Sequence, residues 1–469
     1  MTVVGRTADV CIIGAGVVGS AIARRLARTD LSVILLDAAD DVGSGTSKAN
    51  TAILHTGFDT VPGSLESRLV HEGYQLLSAY AEEAGIAVEP TGGLLVAWDD
   101  DQETALPGLQ AKALDNGYAA AELVDAAEVR RREPSLGLGA RSGLWVPGES
   151  IIDPWSVTLA YASEAVAAGA DLFLGDAVVG VEGLDDRHRL VLGSGDSIDA
   201  TWVINAAGLR ADDLDAMFGH HRFTVTPRRG QLLVYDKLAR PLLSSILLPV
   251  PTERTKGVLV SPTVWGNLLV GPTAEDLEDK TATCSTAEGI AVLRAAAEAL
   301  VPALAREEIT AIYAGLRAAT EHRDYQIDLA VSERYVCVGG IRSTGLTASL
   351  AIAEHVAGLL AAAGVPVDER GGCGPTPVMP PLGEQQCRPL FDADLIATDP
   401  AYGRAVCHCE RVSEGEIRDA MVSPLPPAEL GGLRRRTRAM NGRCQGFSCA
   451  GSVERLFGEA ATSEDGGDR

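Results

Sequence analysis

The stretch "DVCIIGAGVVGSAIARRLARTDLSVILLD", residues 9–37, carries the reading on which the fold depends. Val10 to Ile13 form a short apolar strand, and Gly14, Gly16 and Gly19 complete a G-x-G-x-x-G turn. Small and apolar residues then recur at helical spacing from Ser20 to Arg28. A second strand ends on Asp37, 18 residues beyond Gly19. Each part has a physical task. Gly14 makes the tight turn, Gly16 lets backbone approach a pyrophosphate, and Gly19 lets the helix pack on the strand. The helix N-terminus favours phosphate, and Asp37 is placed to accept ribose hydroxyls. A lone glycine triplet would signify only a strand–helix turn; strand, turn, helix, strand and acid in this order predict a dinucleotide site.

Working outward, the chain of 469 residues is long enough for two to four domains. Forty basic against 64 acidic residues give a net charge of −24. That balance argues against a nucleic-acid or anionic-membrane surface, which Lys and Arg dominate. The longest apolar runs, such as "GLLVAW" (Gly93–Trp98) and "SSILLPVP" (Ser244–Pro251), fall short of the ~20 residues of a membrane span. No direct span is expected, and association with a membrane would run through a partner. The N-terminal apolar stretch is punctuated by glycine and lacks secretory character, so a cytoplasmic location is the expectation. Five of the nine cysteines (Cys11, Cys284, Cys337, Cys373, Cys387) are scattered. The other four, Cys407, Cys409, Cys444 and Cys449, are clustered and read as metal-binding or redox-active.

Further glycine turns identify the nucleotide as a flavin. No second fingerprint for a nicotinamide follows: "LGLGARSG" at 136–143 has the wrong spacing and reads as a loop. "VGSGTSKANTAILHTGFD" (Val42–Asp59) offers backbone, Thr46, Ser47, Asn50 and Thr51 to phosphate and flavin. "WVINAAG" sets a strand from Trp202 to Asn205 before the small turn at Ala207 and Gly208. "RYVCVGGIRSTGLTASLAIAEHVAGLL" gives a strand (Tyr335–Val338), a turn at Gly340 and a helix over roughly Thr347–Ala361. N–H groups near Gly345, Leu346 and Thr347 would face the flavin pyrimidine, where reduction builds negative charge.

These segments, with "RRGQLLVYD", "GNLLVGPTAE" and "YAGLRAATEHRDYQID", resemble the FAD-dependent oxidoreductases of the D-amino-acid-oxidase superfamily across almost all of residues 8–362. The nearest branches in pattern are the glycerol-3-phosphate dehydrogenases and L-2-hydroxyglutarate oxidases. The resemblance implies an α/β, glutathione-reductase-like FAD domain with an antiparallel-sheet substrate domain over the flavin. Its expected segments are 1–90, 145–222 and 320–369 for FAD, and 91–144 and 223–319 for substrate. A linker follows at 370–400, overlapping a Pro/Gly-rich stretch from Gly364 to Glu384, then a small helical domain at 401–458 and an acidic, disordered tail at 459–469. "VCHCE" and "CQGFSC", with 34 residues (410–443) between Cys409 and Cys444, resemble the [2Fe–2S] domain of bacterioferritin-associated ferredoxin, which also closes the large subunit of anaerobic glycerol-3-phosphate dehydrogenases.

Thiolates are soft ligands that suit iron or zinc. The C-x-C spacing departs from zinc knuckles and favours [2Fe–2S] for the four cysteines, with zinc or a redox disulfide as alternatives. "LRRRTR" (Leu433–Arg438) reads as a solvated helix face, or as cations that offset the cluster or dock an acidic partner. A flavin takes two electrons and the cluster one, so the expected route is substrate, FAD, [2Fe–2S], then an acceptor protein or partner subunit. For a small anionic substrate, Arg229, Arg317 and Arg323 stand where relatives place anion-binding or flavin-facing residues, and Tyr325 is a further hydrogen-bonding candidate. His55 is the candidate base for the hydroxyl proton. Many glycerol-3-phosphate dehydrogenases carry lysine after the double glycine, whereas Ile341-Arg342 follows Gly339-Gly340 here. A 2-hydroxy-acid dehydrogenase, an amino- or imino-acid dehydrogenase subunit and a catalytically silent electron-transfer subunit remain the alternatives.

Overall fold

A computed structural model describes residues 5–251, 257–371 and 374–464; Cys373 and the last five residues of the acidic tail lie outside them. The apolar strand Arg6–Ile13 is central to an eight-stranded sheet. It pairs in parallel with Val33–Leu36 on one side (Val10 opposite Val33) and with Ser197–Asn205 on the other (Ile13 opposite Asn205). Ser197–Asn205 in turn pairs in parallel with Tyr335–Gly339. Parallel neighbours need crossovers, and a helix supplies the first, Val17–Ala27. That helix packs with Leu65–Glu83, Pro154–Ala167 and Gly345–Ala362 into one core, where Ile22, Leu69, Tyr161 and Val356 are fully buried. Each such aliphatic side chain contributes roughly 1.5–3 kcal/mol.

Gly345–Ala362 is long and apolar enough to cross a membrane by length and composition. Its residues Ala348, Ile352, Val356 and Leu360 are instead buried among the other helices, and Gly73 of Leu65–Glu83 abuts the Thr347 backbone. It has the character of a core helix, with one broad apolar face buried and Glu354 and Gly358 on the exposed side.

The second sheet has nine strands. Its spine is the long antiparallel pair Thr226–Tyr235 and Ile309–Ala319, with Arg228 opposite Arg317. The short apolar segments expected as strands appear as Gly93–Val96, Leu259–Pro262 and Leu268–Gly271. The sheet departs from a purely antiparallel design at one place, where Ile246–Pro249 runs parallel to Gly93–Val96. "LGLGARSG" is irregular up to Gly143, which opens the strand Gly143–Val146.

The C-terminal unit is a two-stranded ladder, Ala405–Cys407 with Val412–Ser413, followed by helices Glu414–Met421, Leu430–Thr437 and Ala450–Glu464. Ser413 and Glu416 form a reciprocal capping box that starts the first helix. The last helix runs through the first six residues of the stretch expected to be a tail. Between the two parts, the chain is tied down. Met379 N–H donates to the Ala84 carbonyl and Glu384 N–H to the Val264 carbonyl, at 2.8 Å each.

Candidate functional site

The fingerprint turn is built by exclusion of side chains. Gly14 sits at φ +110°, in the region that favours glycine, and a Cβ there would overlap the Ala206 carbonyl. A Cβ on Gly19 would overlap the Gly14 carbonyl, so the helix can seat on the strand only with glycine at that position. Gly16 caps the helix in extended conformation with no side-chain bond. Asp37 accepts from Ala15 N–H at 2.6 Å and Ala39 N–H at 2.8 Å; burial pushes its carboxyl up against these donors. The acid therefore stands at the lip of the turn, where a ribose would lie.

The loop after Asp37 closes over the same place. Ser47 Oγ accepts from Val17 N–H at 2.9 Å, Thr46 Oγ1 donates to the Leu316 carbonyl at 2.8 Å, and Asn50 Nδ2 donates to the Ser47 carbonyl at 2.8 Å. Thr51 is half-buried in this loop. Ala207 and Gly208 (φ +56°) follow the strand Ser197–Asn205, and a Cβ on Gly208 would meet nothing within 4 Å, which leaves room beside the turn. Gly340 lies at φ +69° after Tyr335–Gly339. Gly345, Leu346 and Thr347 open the helix Gly345–Ala362, so their N–H groups have no intrahelical acceptor. Their cap, Thr344, leaves them free, because its hydroxyl donates to Glu66 at 2.7 Å. Glycines that cannot carry Cβ, an acid at the turn and a helix start with open N–H groups suit an FAD.

His55 joins this frame through its backbone, donating N–H to Thr347 Oγ1 at 3.0 Å. Its ring is held between two carboxylates, Nδ1 at 2.8 Å from Glu149 Oε1 and Nε2 at 2.9 Å from Asp59 Oδ1. Glu149 is fully buried and is fixed by Thr56 N–H (2.8 Å) and Thr56 Oγ1 (2.7 Å). Burial works to lower the imidazole pKa, but Glu149 and Asp59 outweigh it and raise it to about 10. The expectation of a free base is thereby corrected: at rest His55 is an imidazolium with both nitrogens engaged. Asp59 lies four residues downstream of His55 in an irregular loop. Glu149 was not visible in the sequence, because it lies in a turn between two strands 94 residues away.

Arg317 is the half-buried cation of the site. Its strand is bonded to the flavin loop at Leu316, through Thr46, and at Tyr313, whose hydroxyl donates to the Asn50 carbonyl at 3.0 Å. Its Nη2 donates to the Thr273 carbonyl at 2.7 Å, while Nε is buried without a hydrogen-bond partner among the described residues. Burial, reinforced by Arg228, lowers its pKa to about 10 despite Asp276. Such a group gains from an anion.

Two other candidates are corrected. Arg229 is spent on Glu275 (2.6 and 3.1 Å) and the Cys284 carbonyl (3.0 Å), which lock it into the sheet edge. Tyr325 is buried, its hydroxyl 2.6 Å from Thr344 Oγ1 in a closed chain to Glu66. Arg323 is exposed and does not pair with Asp324, which instead accepts Leu65 N–H (2.7 Å) and Glu66 N–H (2.8 Å) at a helix start. Arg342, in the place of the family lysine, reaches the Arg323 carbonyl at 2.6 Å and Glu66 at 3.4 Å.

The four clustered cysteines meet in pairs, the thiol of Cys409 beside that of Cys444 and Cys407 beside Cys449. Cys407 and Cys449 are buried, and Cys409 and Cys444 are half-exposed. Among the described residues no three His, Cys, Asp or Glu side chains converge on one point. A two-iron cluster takes two thiolates per iron, which suits this pairing. The Ser448 N–H, aimed at Cys444, lowers its thiol pKa. His408, between two of the cysteines, is exposed.

The family assignment follows from residues 9–359, which match the pattern described as FAD dependent oxidoreductase. The chain belongs to this family. Residues 405–459 match the BFD-like [2Fe-2S] binding domain. FAD and a [2Fe–2S] cluster are therefore its cofactors, and an FAD oxidoreductase with an electron-transfer domain requires an acceptor. A glycerol 3-phosphate dehydrogenase from Caloramator mitchellensis is 35% identical over 450 residues, covering 95% of this chain and 92% of its own. A glycerol 3-phosphate oxidase from Mycoplasma pneumoniae is 31% identical over 363 residues, 76% of this chain and 94% of its own. Among solved structures, the dithionite-reduced L-alpha-glycerophosphate oxidase of Mycoplasma pneumoniae, with FAD bound, superposes with a TM-score of 0.75 at 28% identity. It covers 80% of this chain and 99% of its own length. This FAD oxidoreductase fold carries its iron–sulfur domain on the arginines of "LRRRTR". They are neither a solvated face nor a patch left open for a partner: Arg436 and Arg438 are 4% exposed, and both bind carboxylates within the chain.

Proposed function

We propose that this chain oxidises a small phosphorylated alcohol, sn-glycerol 3-phosphate, to its ketone and delivers the electrons through the cluster to a separate acceptor protein. The observation that carries this reading is Arg317, a half-buried guanidinium tied to the flavin loop, whose buried Nε has no hydrogen-bond partner among the described residues. A phosphate is a natural occupant for such a fork. The relatives support it: the dehydrogenase from Caloramator mitchellensis matches along nearly the whole chain, including the part that the shorter oxidases lack.

FAD, when bound, supplies the two-electron acceptor for the substrate hydride, and the cluster carries electrons onward one at a time. The chain's own residues handle the proton. Substrate hydroxyl would replace Asp59 at His55 Nε2, while Glu149 keeps hold of Nδ1 and so fixes ring orientation and tautomer. His55 Nε2 must be free of its proton to accept the one from the hydroxyl as hydride leaves the same carbon. Hydride and proton together account for both hydrogens lost by the alcohol. Because the carboxylates raise the imidazole pKa to about 10, flavin reduction is expected to speed up as pH rises toward that value. Arg323, which is exposed, would draw in an anion through its charge.

Anaerobic titration with sn-glycerol 3-phosphate, L-2-hydroxyglutarate and proline tests this directly. Bleaching of the flavin by the phosphate ester alone, followed by the EPR signal of a reduced [2Fe–2S] centre, is the expected result. Bleaching by a hydroxy acid or an amino acid in its place would overturn the substrate assignment.

A further inference from the structure

Helix Leu430–Thr437 of the cysteine-bearing unit lies against the flavin loop. Asp41 accepts from Arg436 Nη1 at 2.7 Å and Nη2 at 2.8 Å, a two-pronged pair, and from Arg435 Nη2 at 2.7 Å. Arg435 also reaches Ser44 Oγ at 3.1 Å. Arg436 is 4% exposed and Asp41 2%. The approach is close enough that a Cβ on Gly432 would overlap Asp41 Oδ2. Asp41 in turn is coupled by backbone to the pyrophosphate turn, since Gly43 N–H donates to the Ala15 carbonyl at 2.9 Å.

The same helix leads straight to the cysteines. Just beyond it, Arg438 Nε donates at 2.8 Å to Glu410, the neighbour of Cys409. The Arg438 guanidinium lies over the Trp265 ring at 4.3 Å, and Trp265 stacks on Trp155 at 4.4 Å. The Trp155 indole N–H then donates to the Lys48 carbonyl at 3.1 Å, back in the flavin loop. An ionic route and an aromatic one thus connect one short stretch of loop, residues 41–48, to the cysteine centre.

We propose that Arg435 and Arg436 are positioning residues for electron transfer between the two centres: clamped on Asp41, they hold the cysteine-bearing unit in one pose against the flavin loop. This rests on the relay described under the proposed function. Substrate oxidation draws on His55 and Arg317, which the clamp does not touch. Transfer to the cluster depends on how close the two centres are held. A buried ion pair is a strong determinant of pose because removing one partner strands the other charge.

The test uses the full chain loaded with both cofactors, as Arg435→Gln, Arg436→Gln, the double variant and Arg436→Lys. Amide hydrogen exchange reports the pose, and anaerobic stopped-flow follows flavin bleaching and cluster reduction separately. The double variant is expected to keep its flavin and iron content and to bleach within about twofold of the parent. Its exchange should rise at residues 42–47 and 430–437, and cluster reduction should slow about tenfold or more. Arg436→Lys, which keeps the charge but loses the fork, is expected to fall between. Unchanged exchange and transfer, or equal slowing of bleaching and cluster reduction, would overturn the proposal. Should the double variant fail to accumulate, Arg435→Gln, at the more exposed of the two residues, is read by the same criteria. A parent enzyme whose cluster no substrate reduces would sink the relay, while the exchange result would still decide the clamp.

Discussion

At residues 14–19 the chain makes a binding site by leaving side chains out; at residues 407–449 it makes one by putting them in. The fingerprint turn is defined by two places where a Cβ would collide with backbone, at Gly14 and Gly19. The cysteine centre is defined by four thiols from two segments, of which Cys407, Cys409 and Cys449 pack into a small core with Ile417, Leu433 and Val453. The first site therefore depends on volume, and the second on chemistry at nearly constant volume. Substitutions that separate volume from chemistry should act on one site and spare the other.

The largest effect is expected from Gly19→Ala. One methyl group would overlap the Gly14 carbonyl, with backbone on both sides and nothing flexible to yield. Purified protein should lack the visible flavin band; a variant retaining it would show that the turn can relax. Cys444→Ser changes one atom at a half-exposed thiol and should empty the iron site, measured as iron content, while flavin content stays at the parent level. Loss of both cofactors would mean that the two sites are not separable in this way.

Within the flavin half, two residues sharpen the contrast further. His55→Gln should slow anaerobic flavin reduction by roughly 10²–10⁴-fold, the usual weight of a general base, and abolish its rise with pH. Arg317→Met should instead weaken binding of a phosphorylated substrate about tenfold to a hundredfold, the loss of one charge-assisted hydrogen bond worth roughly 1.5–3 kcal/mol. The titration that follows flavin bleaching reads both, the first as a rate and the second as a shift in half-saturation.

The smallest effect concerns stability. The His55 imidazolium is favoured in the folded state by Glu149 and Asp59, which raise its pKa from 6.5 to about 10. Its contribution is fully present below 6.5 and is lost as pH rises through about 10. The denaturation midpoint of the parent should fall relative to that of His55→Gln across this window. Parallel curves would show that the ion pairs do not stabilise the fold.

The flavin turn was legible in the sequence because its requirements are local: glycine at fixed offsets, an apolar strand, an acid after the next strand. The cysteines were legible for a similar reason, since four soft ligands leave few alternatives. Glu149 and the Arg436–Asp41 pair were not. Each joins residues far apart in sequence, 94 residues for Glu149 and His55 and 395 for Arg436 and Asp41, and no periodicity links such positions. Arg229 and Tyr325 misled in the opposite sense. Their types suit an anion site, but the register opposite Glu275 and the hydroxyl of Thr344 claim them first. Polar side chains at a site are assigned by what they already hold, and that is a property of the fold.

The order of strands in the first sheet has a consequence for biogenesis. Arg6–Ile13 is made before the strand beside it, Ser197–Asn205, which gains its second parallel neighbour only when Tyr335–Gly339 has been synthesised. A nascent polypeptide released before that point would leave an unpaired strand edge, an invitation to aggregation. The thiols at residues 407–449 leave the ribosome after every strand of that sheet, so flavin capture can precede iron delivery.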